Sequence, residues 1–118
     1  MKRKVVITGM GVISSIGNNC ARALESLKNN ISGIESVPEW VELGFRSTVA
    51  GTIKELNQQN MRQKIGLKSR FMDLSALYAL LAAEEALQSS GLTREDIANE
   101  RIGCIVNSGR FIKNLPHF

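Results

Sequence analysis

Histidine, cysteine, proline and aromatic residues are scarce in this chain, and the shortages close off several classes of function. Histidine occurs once in 118 residues, at His117, so no histidine pair is available for acid–base work or metal ligation. The two cysteines, Cys20 and Cys104, show neither metal-site spacing nor a disulfide framework. Aromatic residues make up only 5% of the chain, and no Lys/Arg run is interleaved with them, so nucleic-acid binding has no support. No stretch approaches the roughly 18 apolar residues that span a bilayer. Lys2, Arg3 and Lys4 do precede an apolar patch, but Thr8, Gly9, Gly11 and two serines break it and no small-residue cleavage site follows. A reduced, cytoplasmic setting is the expectation. The net charge of +4 (15 basic against 11 acidic residues) is mild, so a basic partner site has to come from local clustering.

The residues that are present organise around positions 5–17, Val-Val-Ile-Thr-Gly-Met-Gly-Val-Ile-Ser-Ser-Ile-Gly. Three β-branched residues bounded by glycines predict a buried, parallel strand. Gly9 and Gly11 predict a sharp turn or a close approach of other backbone. Asn18 or Asn19 then caps a helix over 20–29, with Ala21, Leu24 and Leu27 on one face and Arg22, Glu25 and Lys28 on another. Residues 31–40 read as turn-like and the whole of 35–60 as an irregular surface excursion, with one short strand within 45–53 interrupted by Gly51.

Arg62, Lys64, Lys68 and Arg70 follow, with no acidic residue between Met61 and Arg70. The most apolar part of the chain comes next. Residues 69–90 contain neither Gly nor Pro and are rich in Leu and Ala, which predicts a long helix apolar around most of its circumference and covered on several sides. Glu84 and Glu85 mark its emergence, and Gly91 its stop. Thr93 to Asp96 fits a capping pattern for one short helical turn. Residues 101–106 predict a second buried strand carrying Cys104, and 107–109 the turn that leaves it. One domain, α/β in class, is the expectation for this length.

Several of these segments resemble the 3-oxoacyl-(acyl-carrier-protein) synthases, the condensing enzymes of fatty-acid and polyketide synthesis. VVITGMGVISSIGNN looks like their opening, Ser32-Gly33-Ile34 like the sequence after their first helix, and RFMDLSALYALLAAEEALQSSGL like their long helix. The resemblance covers residues 1–109, a truncated N-terminal domain, and leaves 110–118 as an unmatched tail. The break after Gly109 is read as a frameshift, a premature stop or a truncated gene. The fold the resemblance implies is an incomplete thiolase-like fold, the N-terminal part of its first strand–helix layer.

The chemistry it implies is decarboxylative condensation: a cysteine thiolate at a helix N-terminus takes an acyl group as thioester, and two histidines stabilise the charge that builds up. In the family these residues belong to later segments, so no catalytic residue is assigned here, and no cofactor or metal is implied. Cys104 reads as an inert thiol inside a strand. Cys20 stands at a helix start but has no histidine near in sequence, and His117 lies in the unmatched tail. The family is dimeric and docks an acidic acyl carrier protein partly through basic residues before the long helix. Arg70 matches the arginine of the family's Arg-Phe-Met and Lys68 lies nearby, so these two are the candidate docking residues; a plain solvated basic face is the simpler alternative.

Two rival readings compete. Gly9-Met10-Gly11 invites comparison with a dinucleotide-binding loop, but Ser14 stands where a third glycine or alanine belongs, and no second strand is expected after the first helix. The other rival is a non-catalytic interaction fragment that associates with a separate chain.

Overall fold

In the computed structural model, residues 2–98 and 101–107 are described, apart from the side chains of Leu67, Lys68 and Arg94. The elements run α1 (Cys20–Lys28), β1 (Ile34–Ser36), α2 (Pro38–Glu42), β2 (Val49–Gly51), α3 (Gln58–Ile65), a 3-10 turn (Leu67–Phe71), α4 (Leu74–Ser90) and α5 (Arg94–Ile97). Helices follow their caps closely. Asn19 accepts the Arg22 N–H at 2.8 Å and opens α1, and Asp73 accepts the Ala76 N–H at 3.0 Å and opens α4. Gly91, at φ 73°, closes α4 in the left-handed region that glycine enters without penalty. Thr93 and Asp96 bond reciprocally around the start of α5, as the capping pattern predicts.

The α/β expectation is met only as a mixed helix–strand assembly. Residues 5–7 form no strand: Val5, Val6 and Ile7 are 93%, 74% and 84% exposed. Residues 101–106 likewise form none, and Ile105 is fully exposed. A buried parallel strand depends on neighbours at both edges and both faces, and no other described strand offers them. The one sheet among the described residues is a short antiparallel ribbon, with Ile34 opposite Gly51 and Ser36 opposite Val49. Its first strand, and the helix opened by Pro38 just after it, lie where a turn and a loop were expected. Their signals were weak because a three-residue strand shows no alternation, while Pro at the first helical position was readable.

What holds the assembly together is the docking of the glycine loop on α4. A methyl group placed on Gly9 would lie 2.2 Å from the Ala86 carbonyl oxygen, and one on Gly11 1.8 Å from that of Ala82. Close approach, not a positive φ, is therefore what these glycines supply. Ser89 Oγ accepts the Met10 N–H at 3.0 Å beside that contact. Ala82, Glu85, Ala86 and Ser89 recur at helical spacing and make one docking stripe on α4. Its other faces are less covered than expected. Leu77 is fully buried against its neighbours, but Leu74 and Leu80 remain exposed.

Candidate functional site

The basic stretch that runs from α3 into the 3-10 turn holds, among the described side chains, two engaged charges and one free one. Arg62, on α3, donates to the carbonyl oxygens of Ser69 and Met72, the latter at 2.9 Å. Ser69 is itself buried, with its hydroxyl 2.6 Å from the Gly66 carbonyl oxygen and 3.1 Å from that of Arg62. These bonds fix the 3-10 turn on the end of α3. Lys64 pairs with Glu84 of α4 at 3.2 Å, an exposed contact of small energetic value. Arg70 is different: it stands exposed on the pinned turn, with no hydrogen bond or ion pair among the described residues. Phe71, 96% exposed, stands next to it. The Lys68 side chain lies outside the described residues. The turn thus presents a cation and an apolar ring on a fixed backbone, an arrangement suited to meeting an acidic surface.

The thiols are not arranged for nucleophilic chemistry. Cys104 is exposed in irregular chain, which corrects the expectation of a buried strand thiol; with no strand formed, nothing covers it. Cys20 is the first residue of α1, where the helix dipole alone would favour a thiolate. Glu85 already occupies that end: its Oε1 accepts the Cys20 N–H at 2.7 Å and its Oε2 the Val12 N–H at 3.0 Å. Burial pushes the Cys20 thiol up, and the Glu85 charge pushes it further. The Glu85 carboxyl is held below the usual carboxylate range, first by the Cys20 N–H and then, against the cost of burial, by the Val12 N–H. Glu85 is the residue that sequence reasoning misplaced. It was taken as the emergence of an apolar helix, and only the small residues spaced around it at 82, 86 and 89 hinted that it faces inward. His117 lies outside the described residues. Among those described, no three His, Cys, Asp or Glu side chains gather as a metal site. No helix among them is long and apolar enough to cross a membrane.

The dinucleotide reading fails on geometry as well as on Ser14. A strand does follow α1, against expectation, but it pairs antiparallel with β2 and builds no βαβ unit.

Comparison with known proteins gives one consistent answer. The profile of the beta-ketoacyl synthase N-terminal domain matches residues 2–114, running past Gly109 where the motif-level resemblance stops. The chain is 48% identical over 107 residues to 3-oxoacyl-[acyl-carrier-protein] synthase 1 of Haemophilus influenzae, covering 91% of this chain and 26% of that protein. It is 39% identical over 108 residues to the synthase 1 of Escherichia coli K12, covering 91% and 26%. It is 35% identical over 109 residues to the synthase 2 of Vibrio cholerae, covering 92% and 26%. The chain therefore spans about a quarter of the length of the curated relatives it matches.

Proposed function

Because the chain belongs to the beta-ketoacyl synthase family, we propose that its 118 residues are the N-terminal portion of a 3-oxoacyl-(acyl-carrier-protein) synthase. The whole enzyme would condense a malonyl group on a carrier protein with an enzyme-bound acyl thioester, releasing carbon dioxide. These residues contribute scaffold and docking surface to that reaction, and do not perform it alone. The chain holds one histidine, and its described thiols are an exposed one in irregular chain and one at a helix start whose backbone N–H is bonded to the Glu85 carboxylate, so no activated nucleophile with a histidine pair is present.

The observation that carries the docking part is Arg70: it has no hydrogen bond or ion pair among the described residues, while Arg62 and Lys64 of the same basic stretch are engaged internally. An acidic acyl carrier protein is the partner this reading assigns to it, and the intact enzyme is read as a dimer in the cytoplasm. Reading the coding DNA past codon 118 in all three frames tests the assignment. A frame encoding a cysteine at a strand–helix junction and two later histidines is the expected result. Unrelated sequence in every frame would contradict it.

A further inference from the structure

The glycine loop, the first turn of α1 and the middle of α4 meet at a single carboxylate, that of Glu85. Its two partners are far away in sequence and are backbone donors: Val12 N–H, 73 residues upstream, and Cys20 N–H, 65 residues upstream. The Cys20 amide, as the first of α1, has no acceptor within its own helix. The Asn19 side chain already caps Arg22 N–H, so Glu85 adds a second cap delivered from another element. Two donors call for two acceptor atoms on one rigid group. A carboxylate supplies them, whereas a primary amide of the same shape supplies one. The remaining charges around the junction are engaged elsewhere: Glu84 with Lys64 between α4 and α3, and Arg22 with Glu55 on the outer side of α1.

We propose that Glu85 is a positioning residue that bridges the Val12 and Cys20 amides, holding the glycine loop in register with α1, and that its fixed negative charge keeps the Cys20 thiol unreactive. The positive end of α1 would otherwise stabilise a thiolate there. With the carboxylate seated on that end, a thiolate would face like charge instead, in accord with the raised pKa of the thiol.

The test uses the full 118-residue chain, with Cys104 as internal reference. Iodoacetamide labelling across a pH series, read site by site by mass spectrometry, is compared for the native chain and Glu85→Gln. The expected result is a Cys20 profile that moves to lower pH in Glu85→Gln, its rate at pH ~8 rising roughly three- to tenfold. Cys104 labelling stays unchanged. An unaltered Cys20 profile in a folded variant would overturn the assignment. Should the variant unfold, the native chain decides the matter through its amide resonances. Those of Val12 and Cys20 must shift together through one acid titration; separate or absent titrations overturn the bridge.

Discussion

At the scale of single residues, the contact between the glycine loop and α4 is a fit between missing side chains and one half-buried charge. Gly9 and Gly11 let backbone lie directly on the Ala86 and Ala82 carbonyls, and Glu85 fills the polar space beside them. Gly11→Ala must push the loop off α4, because no flexible side chain is there to yield; a loss of about 1–3 kcal/mol is expected by urea unfolding. Acid should act through Glu85. Its folded pKa lies below the unfolded value of about 4.3, so its contribution is complete above that value and is lost as pH falls through the lower folded one. Thermal melting across this window should show the midpoint falling on acidification in the native chain, with a shallower fall in Glu85→Gln. The two glycines were legible as a place of close approach. The inward turn of Glu85 was not, because one acidic residue among alanines reads equally as a solvent face.

At the scale of elements, α1, α4 and α5 were the most readable features, since end signals stand beside them in sequence, whereas α2 and the start of α3 lie in the stretch read as irregular. Asn19, Thr93 and Gly91 sit at the ends they predict. The long helix begins at Leu74 and not at 69, because Asp73 caps it and residues 67–71 form a tighter 3-10 turn held by Arg62. Asp73→Ala should cost about 1 kcal/mol in chemical denaturation. Leu77→Ala should cost more, about 2–5 kcal/mol, because Leu77 is the side chain fully enclosed by the described fold. The short strand expected within 45–53 forms as β2, but those at 5–7 and 101–106 were read wrongly for a physical reason. β-branched runs such as 5–7 state a preference for a pleated, covered surface, but a sheet forms only where partners are supplied, and here the partners are absent among the described residues. The three-residue ribbon strands that do form are too short to show any period.

At the scale of the whole molecule, the surface is too large for a closed fold. The accessible area is 10,685 Å², whereas a folded chain of 13.0 kDa exposes about 6,300 Å². The radius of gyration is 17.7 Å, against about 13.5 Å for a compact chain of this length. Val5, Val6, Ile7, Ile105 and Val106 contribute apolar surface that a complete synthase would be expected to cover. Small-angle scattering of the dilute chain should give a radius near the larger value, and a dye that reports apolar clusters should fluoresce in its presence. The family was legible from motifs spread along the sequence, but the incomplete packing was not, because composition and periodicity describe what each segment prefers and not what covers it.

The docking claim is tested most directly by anisotropy of a fluorescent acyl carrier protein titrated with the 118-residue chain and with Arg70→Glu. The account predicts saturable binding at ~0.05 M salt that weakens steeply towards ~0.5 M, and about a tenfold loss of affinity in Arg70→Glu with α4 still folded. Binding indifferent to both salt and Arg70, or no binding at low salt, would contradict it.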